Sequence, residues 1–315
     1  MKMASQVFLD SEVRMTAFDW LSRKSFEYGD VLPRAILIKG FDYQGTRVPL
    51  LGPQGIFKPK IIPNIPLSIT TAPKGPYDDS FGEDGFLLYK YRGINPQHHE
   101  NVGLRTAMMR GTPLIYFHGV VPGMYLAVWP VFIIGDIPER LTFKVAADDM
   151  YYSHKPSREQ SARPESVRYE DNTSRRIYIT SIVRQRLHQR GFRERVLAAY
   201  QERCALCRLS HRELLDAAHI IPDSQPGGEP HVKNGIALCK LHHAAFDNFF
   251  IGIRPDYIVQ VRKDVLSETD GPMLLHGLQG IHNTKLIIPK QKDHHPAPEL
   301  LEQRWRRFAE FTQAG

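Results

Sequence analysis

Hydrophobic and polar positions follow different patterns in the two halves of the chain. Between residues 31 and 145, β-branched and aromatic residues form short runs bounded by Gly and Pro, which is typical of strands. The clearest runs are RAILIKG, PLIYFHGVV, MYLAVWPVFIIG and LTFKVAA. Turn signals such as Pro122-Gly123 recur through the same region. The pattern predicts a compact β-rich barrel or sandwich.

Helical and linker patterns divide the rest of the first half. Residues 1–30 are predicted to form a short helix, and residues 101–111, NVGLRTAMMRG, are the best helix candidate among the strands. Residues 149–178 are polar, charged and poor in aliphatic side chains, which indicates a linker. We therefore expect a first domain over residues 1–148 and a second over residues 179–315.

The second half opens with a helical pattern. In RQRLHQRGFRERVLAAYQERC, three apolar residues recur at intervals of four and fall on one helix face: Phe192, Val196 and Tyr200. Two further elements are predicted later, a hairpin over FIGIRPDYIVQVR and a terminal helix over APELLEQRWRRFAEF. This half is thus expected to mix helices with short strands.

Composition and charge favour a globular protein with an acidic partner. Hydrophobic residues make up 42% of the chain and charged residues 24%, which are ordinary globular values. No apolar run approaches the ~20 residues of a membrane span, and the first residues lack the apolar region of a secretory signal, so we expect a cytoplasmic protein. The net charge of +7 favours nucleic acid as a partner. Arginines are concentrated between Arg184 and Arg212, although a solvated helix face would show the same excess.

Three cysteines narrow the chemistry. An odd number of cysteines in a reducing compartment argues against a disulfide framework. Cys204-x-x-Cys207 and Cys239-x-x-His242 each offer two ligands at the spacing of a zinc knuckle, and together they complete a Cys3His tetrahedron. The spacing predicts a structural zinc ion. The alternative is a set of buried or spare thiols.

A second pair of metal-binding residues follows directly. His243 and Asp247 are four residues apart, so on a helix they project from one face. Such a pair suits a harder divalent cation, Mg²⁺ or Mn²⁺. His242 and His243 point about 100° apart on a helix and can therefore serve two different ions. The alternative for His243 is a structural histidine with satisfied hydrogen bonds.

The order of these residues carries a family resemblance. CALC…DAAHIIP…NGIALCKLHHAAFDNFF contains His219, Asn234 and His243 in that order, interleaved with the two knuckles. The stretch resembles the ββα-metal core of the HNH endonuclease family over roughly residues 190–255. The resemblance implies a zinc-stabilised ββα-metal domain that hydrolyses phosphodiester bonds.

The resemblance also implies a role for each residue. His219 would be the general base that activates water, and Asn234 would hold the loop and orient His219. His243 and Asp247 would hold the catalytic metal ion. A histidine suits water activation near neutral pH, and a cation beside the scissile phosphate stabilises the charge that develops there.

One position departs from the family pattern. Many HNH enzymes carry Asp or His immediately before the base histidine, as a further metal ligand, and here that position is Ala218. Asp216 lies two residues earlier, hence on the same face of a strand. We expect Asp216 to be the third ligand, directly or through water. The alternative is a strand-end aspartate that caps a turn.

The first half contains a second, weaker resemblance. KGPYDDSFGEDGFLLYKYRG, residues 74–93, combines aromatic residues, carboxylates and glycines. It resembles the base-binding segment of SRA domains, which are PUA-like β-barrels that flip modified cytosines out of DNA. ENVGLRTAMMRGTPLIYFHGVVPGMYLAVWPVFI resembles a later part of the same fold, so the likeness covers about residues 30–145.

This second resemblance implies a base pocket. Tyr77 and Tyr91 would stack on the flipped base, and Asp79 or Asp78 would accept a hydrogen bond from the N4 amino group of cytosine. The alternative is that Tyr91 is a core residue and the acidic turn is solvated. Five arginines are candidate contacts to the DNA backbone: Arg92, Arg105, Arg110, Arg190 and Arg193.

Together these patterns predict an α+β protein, an N-terminal PUA/SRA-like barrel joined to a C-terminal zinc-stabilised ββα-metal HNH domain. We expect a metal-dependent DNA endonuclease, specifically a modification-dependent, type IV-like restriction enzyme. One alternative is an HNH nuclease that acts on unmodified DNA, as a conventional restriction enzyme or a toxin. Another is a zinc-containing DNA-binding module without catalysis. Because one active site cuts one strand, we also expect a homodimer.

Overall fold

The structure, a computed structural model, describes residues 2–72, 81–148, 165–269 and 271–313. The chain divides into two compact units, Met1–Leu187 (unit 1) and His188–Gly315 (unit 2). None of the helices in the described ranges combines the length and apolar character that a membrane span requires.

Unit 1 is built on one mixed sheet. Its strands are β1 (Val31–Pro33), β2 (Phe41–Tyr43), β3 (Thr46–Val48), β4 (Ile56–Phe57), β5 (Ser68–Thr71), β6 (Leu87–Lys90), β7 (Leu114–Val121), β8 (Met124–Ile137) and β9 (Thr142–Ala147). Seven of them form a sheet in the order β4-β5-β7-β8-β9-β6, with β1 paired to β8, while β2 and β3 form a separate hairpin. Within the described ranges, β4 and β6 at the two ends of this order are not paired with each other. The predicted mixed α+β class is confirmed, whereas a closed PUA-like barrel stays a prediction.

Two predicted helices of unit 1 are present. The first, α1 (Lys2–Tyr28), buries an apolar face that includes Val13, Ala17 and Leu21. Because these residues recur at intervals of four, they share one side of the helix. The stretch predicted at residues 101–111 is the helix α3 (His99–Arg110), which His98 caps by accepting a hydrogen bond from the Glu100 amide. This helix ends where Gly111 adopts a φ of 59°.

RAILIKG was predicted as a strand, and this prediction is wrong. The segment forms the short helix α2 (Arg34–Lys39) directly after Pro33. The helix ends at Gly40, whose φ is 62° and whose amide donates to the Ile36 carbonyl. A Cβ atom on Gly40 would lie 1.9 Å from the Val48 carbonyl oxygen, so only glycine fits. Tertiary packing that buries Leu37 overrides the strand propensity of this apolar run.

The predicted linker is partly helical. Residues 149–164 lie outside the described ranges, and residues 165–178 belong to the long helix α4 (Glu165–Ala199). The boundary between the two units falls inside this helix, later than the predicted domain start at residue 179. In unit 1 the helix is held by polar contacts, among them the bond from the Ala147 amide to the Thr180 hydroxyl, 3.1 Å long. Within the predicted linker, Arg175 and Arg176 pair with Asp148. Later in the same helix Ile179, Val183 and Leu187 pack against the core of unit 1.

Unit 2 contains a hairpin followed by a helix. Its elements are β10 (Leu215–His219), β11 (Gly235–Cys239), α5 (Lys240–Asp247), β12 (Ile251–Ile253), β13 (Val259–Val261), α6 (Lys263–Ser267), α7 (Pro272–Gly277) and α8 (Pro298–Gln313). β10 and β11 pair antiparallel, and so do β12 and β13, which confirms the predicted hairpin. Phe192, Val196 and Tyr200 are all buried in the core of this unit, as their spacing predicts.

Candidate active site and metal centre

The β10–β11 hairpin and α5 place two chemistries at opposite ends of one small unit. Leu215 is paired with Cys239 at one end of the hairpin, and His219 is paired with Gly235 at the other. Four residue steps along a strand separate these ends by roughly 14 Å. Since α5 begins directly after Cys239, its first turn lies beside the cysteine end of the hairpin.

The two knuckles meet at that end. The ligand atoms of Cys204, Cys207, Cys239 and His242 all lie within 4.8 Å of one another. The His242 Nδ1 atom is 3.4 Å from the Cys204 sulfur and 3.1 Å from the Cys239 sulfur. The sulfurs of Cys207 and Cys239 are 3.9 Å apart. A tetrahedral zinc ion with Zn–S bonds of about 2.3 Å requires sulfur–sulfur distances of about 3.8 Å, so the donor set is compatible with zinc.

A contact outside the knuckles orients the histidine. The Nε2 atom of His242 lies 2.7 Å from the carbonyl oxygen of Gly277, at the end of α7. A carbonyl oxygen only accepts, so Nε2 carries the proton and Nδ1 presents its lone pair to the thiols. This is the tautomer that a metal-binding imidazole needs. Nothing in the sequence indicated Gly277.

The thiols are poised to act as ligands. A hydrogen bond from the Cys239 thiol lowers the pKa of the Cys204 thiol well below its ordinary value, although burial opposes this shift. The pKa of Cys239 is raised, first because its thiol donates to Cys204 and then because it is buried. One thiolate therefore stands in the cluster at neutral pH. Cys207 is the exposed member of the set.

At the opposite end, His219 sits under an aromatic ring. The Phe192 ring stacks on its imidazole, with ring centroids 3.9 Å apart and an interplanar angle of 19°. Burial lowers the pKa of His219, and the nearby carboxylate of Asp223 offsets only part of this. The Nε2 atom is buried and has no hydrogen-bond partner among the described residues. His219 is therefore a neutral imidazole at pH 7, as a general base must be.

Asn234 fixes the loop that follows His219. It is 1% exposed, and its side-chain oxygen accepts from the Ile221 amide at 2.9 Å. Its side-chain nitrogen donates to the carbonyls of Ile221 at 2.9 Å and Glu229 at 3.3 Å. These bonds close the loop on itself. Asn234 thus acts on His219 indirectly, by holding the backbone of Ile221, two residues further along the chain.

His243 lies between two carboxylates. Its Nε2 atom is 3.2 Å from an Asp247 oxygen, and its Nδ1 atom is 4.0 Å from an Asp216 oxygen. The charges of all three residues act on the imidazole of His219. Two carboxylates and one imidazole are a donor set that suits a hard divalent cation. In the described ranges, however, only the Cys3His set brings its ligand atoms mutually within 4.8 Å.

Asp216 is already engaged in ion pairs. Lys240 approaches one of its oxygens to 2.9 Å, and Arg193 approaches the other to 3.5 Å. Burial raises the pKa of the Asp216 carboxyl, but hydrogen bonds from Lys240 and the Ala217 amide outweigh it, so the pKa is lowered overall. Asp216 is therefore ionised, with Lys240 as a competitor for any cation.

Arg193 has structural contacts within unit 2, and its predicted contact with DNA stays a prediction. Its guanidinium donates to the carbonyls of Arg212 at 3.0 Å and Leu215 at 2.9 Å, and pairs with Glu194 at 2.9 Å. These bonds fix the start of β10, so the side chain is committed inside the unit. Arg190 is exposed on α4, and its predicted contact with DNA stays a prediction.

The base pocket predicted in unit 1 is only partly described. Tyr77, Asp78 and Asp79 lie outside the described residues. The ring of Tyr91 is 7% exposed and stacks on Phe143, with centroids 4.5 Å apart. Tyr91 is thus a core residue, because a base cannot reach a ring face that is packed in the interior. This corrects its assignment as a stacking partner.

The predicted phosphate contacts of unit 1 differ in their availability. Arg105 donates to Asp136 at 2.7 Å and to the Pro96 carbonyl at 2.8 Å, and the Tyr91 hydroxyl also bonds to Asp136. The guanidinium of Arg105 is thus engaged within unit 1, and its predicted contact with DNA stays a prediction. The side chain of Arg92 is 52% exposed and lies 3.7 Å from Glu100. Arg92 and Arg110 stay predictions.

Sequence reasoning missed two charged residues near His219. Asp223 acts on the charge of His219, and Arg304 on α8 donates to carbonyls beside the site. The PDSQPGG stretch indicated only a turn, and the helical pattern of α8 indicated only a terminal helix. No spacing rule connects either residue to the H, N and H positions.

Comparison with known proteins identifies the segment that carries this site. Residues 204–254 match the model of the HNH endonuclease family. The match includes both knuckles and His219, Asn234, His243 and Asp247. The chain therefore carries an HNH-type segment. No curated protein sequence matches the chain.

Three solved structures show distant likenesses. A modification-dependent TagI restriction endonuclease is 13% identical with a TM-score of 0.27, covering 78% of this chain and 82% of its own. The SUVH5 SRA domain in complex with methylated CHH DNA is 19% identical with a TM-score of 0.20, covering 26% and 62%. The type IV phosphorothioation-dependent restriction endonuclease ScoMcrA is 14% identical with a TM-score of 0.25, covering 89% and 58%. This chain spans less than two thirds of the last two, and the TM-scores are too low to say anything about its fold or activity.

Proposed function

We propose that this chain is a metal-dependent endonuclease that hydrolyses phosphodiester bonds of double-stranded DNA through its HNH-type segment. One observation carries the proposal. His219 is a neutral imidazole whose buried Nε2 atom has no hydrogen-bond partner among the described residues. The charges of His243 and Asp247 are close enough to affect its pKa. A general base needs a pKa that leaves it neutral and a nitrogen that no protein donor occupies.

The proposal gives each residue of the site a role. His219 accepts a proton from the attacking water, whose oxygen bonds to phosphorus while the opposite P–O bond breaks. Phe192 limits access of bulk water to the imidazole, and Asn234 keeps the following loop in place. His243 and Asp247 would hold Mg²⁺ or Mn²⁺, with Asp216 as a third ligand. When bound, such an ion supplies positive charge for the phosphate and the leaving oxygen.

The Cys3His cluster has a separate role in this proposal. Its four ligands come from the turn after α4 and from the start of α5, so a zinc ion would join two segments that are distant in sequence. It would also fix the first turn of α5, on which His243 stands. We assign it a structural zinc, because all four ligand positions are filled by protein.

For unit 1 we propose the recognition of a modified cytosine, which would make the protein a type IV-like restriction enzyme. The support is the sequence likeness of residues 74–93 to the base-binding segment of SRA domains, together with the net charge of +7. With Tyr91 in the core, Tyr77 is the one tyrosine of the predicted pair left to stack on a base. Since one active site cuts one strand, a homodimer would make the double-strand break.

The test uses one plasmid prepared with unmodified cytosine, 5-methylcytosine or 5-hydroxymethylcytosine. Each form is incubated with zinc-loaded protein and Mg²⁺ or Mn²⁺, beside the His219→Ala variant. We expect wild type to cut a modified form and the variant to lose at least about 100-fold in rate, the usual weight of a general base. Equal cutting of all three forms would remove the modified-base proposal and leave an HNH nuclease. DNA binding without cutting, the same in both proteins, would favour a non-catalytic DNA-binding module.

A further inference from the structure

A buried arginine links the two halves of the candidate active site. The guanidinium of Arg304, on α8, donates to the Ile220 carbonyl at 3.3 Å and to the Phe246 carbonyl at 2.6 Å. Ile220 directly follows His219 at the end of β10, and Phe246 directly precedes Asp247 at the end of α5. One side chain thus ties the segment of the base to the segment of the metal ligand.

The charge of Arg304 is held in a nonpolar setting. The residue is 7% exposed, and its guanidinium lies over the rings of Phe246 and Phe249, 3.9 and 4.9 Å from their centroids. Burial lowers its pKa to about 10, and the charge of Asp247 opposes this shift. The side chain therefore remains a cation at neutral pH. Its nearest counter-ion is Asp247, with a carboxylate oxygen 3.9 Å away.

The contacts require the shape of arginine. The two bonds leave from different guanidinium nitrogens. They reach the carbonyls of Ile220 and Phe246, which are 26 residues apart in the chain. A lysine ammonium has the charge but not the rigid fork that serves both carbonyls at once. Without Arg304 the Ile220 carbonyl loses its donor, whereas the Phe246 carbonyl keeps a bond from the Phe249 amide at 3.3 Å.

We infer that Arg304 is a positioning residue of the active site, which holds His219 and Asp247 at the separation that catalysis needs. The inference rests on the proposed nuclease function and assigns to this site a residue far outside the HNH-type segment. With its guanidinium buried, Arg304 acts through His219 and Asp247 instead of touching the substrate. A misplacement of catalytic groups by about 1 Å can cost on the order of 100-fold in rate.

The experiment compares Arg304→Met and Arg304→Lys with a matched control, Arg307→Met. Arg307 stands on the same helix and also bonds to the loop after His219, through Gln225 at 2.6 Å, but not to the neighbours of His219 or Asp247. Zinc-loaded proteins are assayed below their unfolding temperatures, in the wild-type and His219→Ala backgrounds. We expect Arg304→Met to lower kcat about 10- to 100-fold at unchanged KM, and Arg304→Lys to recover little of it. Arg307→Met should stay within about 2-fold of wild type.

Two further readouts decide the matter. In the His219→Ala background, Arg304→Met should cost clearly less than in wild type, because only Asp247 is left of the two groups that Arg304 positions. Side-chain NMR signals of His219 and His243 should shift in Arg304→Met and stay in place in Arg307→Met, whether or not DNA is cut. Unchanged signals with wild-type kcat, or equal losses in both backgrounds, would overturn the inference. Shifted signals in a protein that cuts no DNA would support the positioning role and reject the nuclease. If Arg304→Met does not fold, Arg304→Lys decides by the same readouts.

Discussion

The imidazole of His219 and the ring of Phe192 are stacked face to face, with centroids 3.9 Å apart and 19° between their planes. The contact brings a helix residue over the last residue of β10. It leaves the histidine partly covered, and this burial is the largest cause of its lowered pKa. The same contact thus contributes to the protonation state of the proposed base and to its shielding from water.

Removal of the Phe192 ring should change the pH dependence of cleavage. In Phe192→Ala, the pKa of His219 should rise toward its ordinary value of about 6.5, because the imidazole is exposed to water. The acid limb of the kcat/KM profile should therefore move to higher pH. Phe192→Leu keeps an apolar cover and should shift the limb less. The truncation also costs about 3–5 kcal/mol of stability, so both variants are assayed below their unfolding temperatures. Identical pH profiles of kcat/KM for wild type and the two variants would show that Phe192 does not affect the pKa of His219.

The same lowered pKa predicts how stability depends on pH. The folded protein binds a proton at His219 less readily than the unfolded chain, so the unfolded state gains protons first as the pH falls. The contribution of His219 is complete above about pH 6.5 and is lost as the pH falls from there toward the folded pKa. The free energy of unfolding of wild type, measured with urea, should fall more in this pH window than that of His219→Gln. Parallel curves would show that His219 does not titrate differently on folding.

The Cys3His cluster predicts one zinc ion per chain. Cys239→Ala should lose the ion and lower the unfolding temperature of unit 2 by about 10 °C or more, because metal binding contributes to folding. The control is His231→Ala, which removes a histidine of the same unit whose Nδ1 atom accepts only from the Lys233 amide. Zinc content by mass spectrometry and unfolding by circular dichroism give the readouts. Zinc retained at one equivalent in Cys239→Ala would rule out this ligand set.

Asn234 allows a test of the loop after His219. Asn234→Ala leaves the buried Ile221 amide unpaired and should cost about 1–3 kcal/mol. Asn234→Asp keeps the acceptor for the Ile221 amide but points a carboxylate oxygen at the carbonyls of Ile221 and Glu229. Because these oxygens repel the charged form, the pKa of the new aspartate should be raised. Because the protonated acid can donate, Asn234→Asp should be closest to wild type at pH 5 and lose stability as the pH rises through its folded pKa. Urea unfolding at pH 5 and pH 7.5 checks the sign, and a constant deficit would contradict it.

Sequence reasoning located the parts of the site that local spacing determines. Cys204, Cys207, Cys239 and His242 meet because each knuckle holds two ligands within one turn. Pairing of β10 with β11 agrees with the ββα core that the resemblance to HNH endonucleases implies. Within each knuckle the chain neighbours and the spatial neighbours coincide, and the two knuckles together supply the four ligands that zinc needs.

Features set by distant parts of the chain could not be predicted in this way. The bond from Arg304 to Ile220 spans 84 positions, and no periodicity encodes it. Likewise, Tyr91 stands in a segment that reads as an aromatic, polar turn, yet packing against Phe143 makes it a core residue. The helix α2 shows the same limit at short range, since Gly40 and buried Leu37 decide against a strand. Tertiary contacts decide these cases, and they are absent from any local window.

Lys240 offers a way to test Asp216 as a metal ligand. Its ammonium lies 2.9 Å from the Asp216 carboxylate, so a metal ion bound to Asp216 would compete with Lys240 for this carboxylate. If Asp216 is a ligand, Lys240→Met removes both a competitor and a repelling charge, so Mn²⁺ should bind about 3- to 10-fold more tightly, or roughly 1 kcal/mol. Asp216→Asn should weaken binding, and the control Lys285→Met should leave it unchanged. Titration of zinc-loaded protein with Mn²⁺, followed by the EPR signal of free Mn²⁺, gives the dissociation constants. Equal Mn²⁺ affinity in wild type, Lys240→Met and Asp216→Asn would show that Asp216 only forms ion pairs with Lys240 and Arg193. His243 and Asp247 would then be the two proposed ligands that remain for the catalytic ion.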